Sequence, residues 1–238
     1  MPKTVPRSAL LALLLTAPPA FAHNGAVAIA VPVEGIAVDG DLSDWPADMA
    51  SCDVVLLGWG DAVDDENDFH GGFRAGYSRS EGALYVAVEV QDESIVTGNT
   101  ATWNAQDGCE VYVDTVHDGR WRPRMYAVFG DSSRSGTGEV ATTRVADRLR
   151  YEWRIDIGDA RAGVLLGLGV TVHDKDEDGS FSTMTWGMGR NEVLSPYLLG
   201  DVALAEQDVS LGTIQGRATW EGSESGIPNA EIWIQSLH

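Results

Sequence analysis

From residue 149 to residue 157 the chain alternates apolar and polar side chains without a break. Leu149, Tyr151, Trp153, Ile155 and Ile157 fall on one parity; Arg150, Glu152, Arg154 and Asp156 fall on the other. A repeat of two gathers the apolar groups on one side of an extended chain and scatters them around a helix, so the segment predicts a strand with one buried face. Cys109, Val111 and Val113 alternate with Glu110, Tyr112 and Asp114 in the same way. Residues 83–91 and 163–173 are apolar more continuously, which predicts central strands. Clusters of Gly, Ser, Asp and Asn at 62–72, 92–108, 115–120, 131–138 and 174–182 predict turns and loops, and no stretch shows a helical period with caps. Many short strands divided by such loops predict an all-β chain folded as a sandwich or barrel.

The two ends read differently. Lys3 and Arg7, the apolar run Leu10–Leu15 and the small-residue site Ala20-Phe21-Ala22 have the layout of a secretory signal over residues 1–22. The apolar run is too short to span a bilayer. The mature chain is expected to start at His23 and to be secreted or periplasmic, with no membrane insertion. A boundary is expected near 206–212, separating a main domain at 23–206 from a C-terminal piece at 207–238. That piece, with Gly212-Thr213-Ile214 and Ala230-Glu231-Ile232-Trp233-Ile234, resembles the first hairpin of a carboxypeptidase-regulatory-like or transthyretin-like β domain. It is too short to be that domain alone: either it docks on the main sandwich or the natural chain continues into a further β domain.

The formal net charge is −20, and removal of Lys3 and Arg7 with the signal would lower it by two more. Nucleic-acid binding rests on phosphate neutralisation by Lys and Arg, so that class is excluded, as is an anionic membrane surface. A strongly acidic secreted chain binds Ca²⁺, is adapted to salt, or is simply soluble. Two cysteines occur, Cys52 and Cys109. In an oxidising compartment they are expected to pair, which would stabilise the fold by roughly 4 kcal/mol for so long a loop; the alternative is two buried thiols.

Four segments carry a further signal. They are Val38-Asp39-Gly40-Asp41-Leu42-Ser43-Asp44-Trp45-Pro46, then residues 83–92, then Trp103 to Asp114, and finally Gly167 to Gly179 followed by Trp186. In this order, over roughly residues 34–205, they resemble the family 9 carbohydrate-binding modules. The resemblance implies an antiparallel β-sandwich, jelly-roll-like, that grips a glycan end between two tryptophans, with Ca²⁺ ions holding loops. It implies a binding protein and no enzyme, at most an accessory module of a glycoside hydrolase.

By that resemblance the sugar platforms map onto Trp103 and Trp186, and Glu110 is the carboxylate that bonds sugar hydroxyls. The chemistry suits them: an indole offers a broad face to sugar C–H groups, and a carboxylate accepts charge-assisted hydrogen bonds. Trp45 and Trp153 read as structural. The stretch Tyr126-Ala127-Val128-Phe129 lacks the arginine and amide that sugar-binding members carry there, leaving Arg122 or Arg124 as substitutes. Asp174, Asp176 and Asp178, at alternate positions before Gly179, resemble the start of an EF-hand loop and are the expected Ca²⁺ ligands, with Asp39, Asp41, Asp44, Asp64, Asp65 and Asp92 as further acids not assigned to an ion; Thr185 stands where the closing glutamate would be, so the loop is not an EF-hand.

Other readings have less behind them. No Gly-x-Ser-x-Gly elbow, His-Glu-x-x-His or phosphate loop occurs. An N-terminal His23 could chelate copper, with His70, His117 or His173 as the second histidine, but no motif supports it. A haem-carrying sandwich would draw on Met125, Met184 or Met188 with His70 or His173. A structural or sensor ectodomain without glycan affinity is the third alternative.

Overall fold

The computed structural model of the chain describes residues 26–98, 102–117, 122–130, 133–187 and 195–206. The expected signal and the C-terminal hairpin lie outside the described residues.

Those residues form thirteen strands and two short 3-10 turns. The strands are β1 (Val27–Pro32), β2 (Cys52–Val54), β3 (Leu56–Gly60), β4 (His70–Ser78), β5 (Ala83–Gln91), β6 (Gly108–Asp114), β7 (Arg124–Phe129), β8 (Ser133–Ser135), β9 (Glu139–Val145), β10 (Arg148–Asp156), β11 (Leu165–Lys175), β12 (Phe181–Trp186) and β13 (Gly200–Leu204). They make the two layers of a β-sandwich. The front sheet runs β8-β7-β6-β11, and the free edge of β11 is shared by β13 along Leu165–Leu168 and by β12 along Val170–Lys175. Beyond β12 the front sheet ends in β3. The back sheet runs β9-β10-β5-β4, with β2 on the outer edge of β4. β1 belongs to both layers: Val27–Ala30 pair with β13 and Val31–Pro32 with β4. Those two pairings are parallel; the other ladders are antiparallel.

The alternation read from the sequence builds the core. Leu149, Tyr151, Trp153 and Ile155 of β10 face inward with Leu84, Val86, Val88 and Val90 of β5, against Cys109, Val111 and Val113 of β6 and Leu166, Leu168, Val170 and Val172 of β11. The continuously apolar segments are central strands, as expected: β5 lies between β4 and β10, and β11 between β6 and the β12/β13 edge. β5 is apolar on both parities because its outer side is covered too. Ala83, Tyr85 and Ala87 pack under Val33 and Trp45 in a second small core, and the segment after β1 forms this cover. Trp45 Nε1 donates to Glu152 Oε1 (2.7 Å), and Glu152 Oε2 accepts the backbone N–H groups of Asp39 (3.0 Å) and Gly40 (2.9 Å). A fully buried carboxylate is thereby satisfied. Trp45 and Trp153, 4% and 1% exposed, are structural, as their sequence context indicates.

The expected disulfide is corrected: both thiols are free. Cys52 pairs with Phe73 on the back sheet, whereas Cys109 is an inner-face residue of β6 in the front sheet. Burial pushes both thiols above their ordinary pKa, that of Cys109 well above.

Candidate functional site

The front sheet carries chemistry on its outer face. The parity that buries Cys109, Val111 and Val113 turns Glu110 and Tyr112 outward on β6, and the same register turns Thr171 and His173 outward on β11. On β12 the outward residues are Phe181, Thr183 and Thr185, and Trp59 of β3 pairs with Thr183. Across β6, Phe129 of β7 pairs with Gly108. Trp103 comes from the loop between β5 and β6 and lies over this row.

The result is an aromatic corner. Ring centroids of Trp103 lie 5.6 Å from Trp59, 5.4 Å from Phe181 and 5.2 Å from His173, the latter two edge-on. His173 stacks on Phe181 at 5.8 Å and 14° and lies 5.4 Å from Phe129. Trp103 is 42% exposed, so part of a large apolar face meets solvent at the mouth of this corner. Trp59 is half-buried beside it. Its strand approaches β12 closely because Gly60, at φ +99°, lacks a Cβ; an added one would sit 2.1 Å from the Phe181 carbonyl oxygen.

Glu110 forms the polar floor. The Tyr112 hydroxyl donates to Oε2, and His173 Nε2 stands 3.6 Å from Oε1. Burial alone would raise the pKa of Glu110. The His173 and Tyr112 contacts outweigh it and hold the carboxyl below its ordinary value, so it is ionised at neutral pH. His173 is 4% exposed; its Nδ1 lies 3.3 Å from Thr183 Oγ1, and its Nε2 has no hydrogen-bond partner. The corner thus combines a part-exposed aromatic face with a carboxylate oxygen that can accept from a hydroxyl.

The structure separates the expected pair of tryptophans. Trp186 is 9% exposed and belongs to the core, edge-on to Phe73 at 4.9 Å and pressed against Gly200. It stands five residues along β12 from Phe181, about 17 Å at ~3.4 Å per residue, and on the opposite parity. The corrected partner of Trp103 is Trp59, which sequence reasoning passed over. Its only signal is the aromatic residue that ends the Val55-Leu56-Leu57-Gly58-Trp59 run. Arg122 and Arg124 do not supply the missing arginine: Arg122 is exposed, and Arg124 donates to the Asp156 carbonyl of the back sheet.

On the inner parity of the same strands lies an acid centre. Oxygens of Asp92, Asp107 and Asp174 lie within 4.8 Å of one another, as do those of Asp68, Asp174 and Asp176. Asp92, Asp107 and Asp174 are buried, and both oxygens of Asp174 and Oδ1 of Asp176 lack hydrogen-bond partners. Burial first, and then the neighbouring carboxylates, push Asp92 up to about 6, Asp107 up to about 8 and Asp174 up to about 9. Asp107 also ties the strand ends together, accepting Val96 N–H at 2.6 Å and Lys175 N–H at 2.8 Å. A cavity of about 440 Å³, lined by Asp61, Asp64, Asp68, Glu93 and Asp176 among others, opens onto this centre. Clustered carboxylates of this kind, three of whose oxygens have no hydrogen-bond partner, are the donor type that a hard cation takes. Asp174 and Asp176 both lie in this cluster. Asp178 does not: it is exposed and accepts the backbone and hydroxyl of Ser180, closing a turn. Asp68, Asp92 and Asp107 take its place.

Among the described residues, Met184 and His173 do not converge. Met184 faces the core while the adjacent His173 faces outward, so the two cannot share a haem iron. His117 reaches Asp201 at 2.9 Å, and His70 is exposed on the back sheet. His23 and Met188 lie outside the described residues. A wider cleft of about 670 Å³ on the outer back sheet holds Arg74, Arg148, Arg150 and Glu89 and has no Trp, Tyr or Phe among its described lining residues.

Comparison with known proteins places this geometry. Residues 38–207 match the family model described as carbohydrate family 9 binding domain-like. A family 9 carbohydrate-binding module from Caldicellulosiruptor kristjanssonii in complex with glucose superposes with a TM-score of 0.65 at 18% identity, covering 79% of this chain and 100% of that one. Its complex with cellotriose gives 0.62 at 19% identity, covering 80% and 100%. A protein from Bacteroides uniformis gives 0.51 at 13% identity over 76% and 100%. No match was found among curated proteins.

Proposed function

Because this chain belongs to the carbohydrate family 9 binding domain-like family, we propose that it is a non-catalytic carbohydrate-binding protein that takes the end of a polysaccharide or oligosaccharide at the Trp59–Trp103 corner. The observation that carries this reading is the exposed Trp103 indole set beside an ionised Glu110. A sugar ring has an apolar C–H face and a polar rim. Stacked on Trp103, it directs hydroxyls to Glu110 Oε1, while Trp59 closes the side. The complexes of the Caldicellulosiruptor module with glucose and cellotriose support this ligand class. An enzymatic role has no support in this corner, where Glu110 is the carboxylate and it is already engaged by Tyr112.

The acid centre is, in this reading, a Ca²⁺ site with a structural role. Asp68, Asp92, Asp107, Asp174 and Asp176 would supply its oxygens. The ion would fasten the loop between β5 and β6, which carries Trp103, to the end of β11. The protein acts outside the cytoplasm, secreted or periplasmic, in carbohydrate capture.

Titration calorimetry of the protein with glucose, cellotriose and xylotriose in Ca²⁺ tests the reading. Saturable binding, weakened about thirtyfold or more in Trp103→Ala, is expected. A folded protein silent toward all three would overturn it in favour of a structural or sensor domain.

A further inference from the structure

The cleft of about 670 Å³ on the outer back sheet lies on the opposite layer from the aromatic corner. Its floor is laid in rows across the strands. Arg74 of β4 pairs with Ala87 of β5; Gly72, Glu89 and Arg150 make the next row, and His70, Gln91 and Arg148 the one after. The segment after β1 covers the sheet as far as Ala87, and its Asp41 and Ser43 border the space that opens there. Asp53 of β2 and Glu66 border it elsewhere. Gly72 and Ala87 send no long side chain into the cleft. They leave it open between Arg74 and Arg150, whose Cα atoms are roughly 12 Å apart by strand spacing and rise.

Charge in this cleft is sorted by depth. Arg74, Arg148 and Arg150 are half-buried on the strands, whereas Asp41, Asp53 and Glu66 are exposed around them. Glu89, the carboxylate on the floor, is shared by two guanidiniums. Arg150 Nε donates to its Oε2 at 2.7 Å and Arg148 Nη1 to its Oε1 at 3.0 Å, while Arg148 Nη2 turns to Gln91 Oε1 at 3.3 Å. Arg74 has neither a hydrogen bond nor an ion pair among the described residues. Glu152 shares its row, but the oxygens of Glu152 are taken by Trp45, Asp39 and Gly40. Three guanidiniums against one carboxylate leave the floor positive, and the exposed acids above it are the better screened. A planar fork such as Arg74 matches a carboxylate, and the bordering acids accept from hydroxyls. A hydroxylated acid satisfies both levels at once. An acidic peptide would instead set further carboxylates against Asp41, Asp53 and Glu66.

We infer that this cleft is a second ligand site, separate from the corner, and that it takes a uronate residue of an acidic glycan. The uronate carboxylate pairs with the Arg74 guanidinium, and ring hydroxyls donate to Asp53 and Glu66. The site uses neither Trp103 nor Glu110, so it stands or falls independently of the corner.

The test is calorimetric titration at neutral pH and about 0.15 M salt, where the long-range field of the acidic chain is screened. The probes are cellotriose and the same trimer oxidised at C6 to glucuronate, which differ only in the carboxylates. With the corner weakened by Trp103→Ala, the oxidised trimer should still bind, at least about tenfold more tightly than cellotriose. Adding Arg74→Ala should weaken the oxidised trimer about tenfold, and Arg74→Gln, which keeps N–H donors without the charge, should fall between. Arg74→Ala alone should leave both the melting temperature and the affinity for cellotriose at parent values. The inference is overturned if the oxidised trimer is silent in Trp103→Ala, or if its affinity is unchanged by Arg74→Ala. Equal binding of a tetraglutamate peptide would also overturn it, because charge alone would then suffice. Silence of the parent protein toward cellotriose bears on the corner and leaves the uronate result to be read by itself.

Discussion

Three tryptophans of similar sequence context have different fates, and the differences are measurable. Trp103 is 42% exposed, sits in a loop and meets only the outward-facing rings of Trp59, His173 and Phe181 among the described side chains, so its removal costs the fold little. In Trp103→Ala the melting temperature should stay near that of the parent, while glycan affinity falls by about 2 kcal/mol or more, roughly thirtyfold. Trp59→Ala should weaken binding in the same direction. Trp186→Ala should do the reverse of a site mutation. Emptying a volume bounded by Phe73 and Gly200 in the core should cost about 3–5 kcal/mol of stability, read in urea denaturation. A stable Trp186→Ala protein that no longer binds sugar would reinstate Trp186 as a platform and sink the assignment to Trp59.

β11 shows at the scale of an element how the two halves of the site are linked. Its successive residues His173 and Asp174 point to opposite faces, one into the aromatic corner and the other into the acid centre. A shift of the strand by one residue would exchange them. This much was legible in the sequence, because a period of two is a local property. The strands at 149–156 and 108–114, the central positions of β5 and β11, and the structural places of Trp45 and Trp153 could all be read from neighbours along the chain. The remainder was not local. Trp59 meets Trp103 only because β3 pairs with the far side of β12, and Asp68 and Asp92 meet Asp174 only through the packing of separate loops. Trp186 looked like a loop residue after an acidic turn, yet β12 runs through it with an inward parity. The thiols misled for the same reason, since spacing does not say which sheet a cysteine joins. Alkylation in denaturant without reductant should add two labels per chain by intact mass, and native Cys109 should resist labelling. Absence of label in denaturant would instead reveal a bridge.

The net charge of the whole molecule becomes a stability argument at the acid centre. An unfolded aspartate releases its proton near its ordinary value of 3.8, whereas the folded centre keeps protons up to about 6 at Asp92, about 8 at Asp107 and about 9 at Asp174. Between those limits the folded state binds more protons than the unfolded one, so stability must fall as pH rises. In chelator the melting temperature should therefore decline steadily from about pH 5 to about pH 9. Ca²⁺ reverses the sign of the problem by meeting ionised oxygens that the protons otherwise neutralise, and its stabilising effect should widen with pH. Asp174→Asn removes the carboxylate shared by both acid groups. It should raise the melting temperature of the metal-free protein at alkaline pH, where repulsion is greatest, and erase most of the response to Ca²⁺. Because the same centre anchors the loop that carries Trp103, glycan affinity in chelator should also weaken as pH rises. A melting temperature that climbs with pH in chelator, or one indifferent to Ca²⁺ throughout, would show that the buried acids are held by something other than a cation.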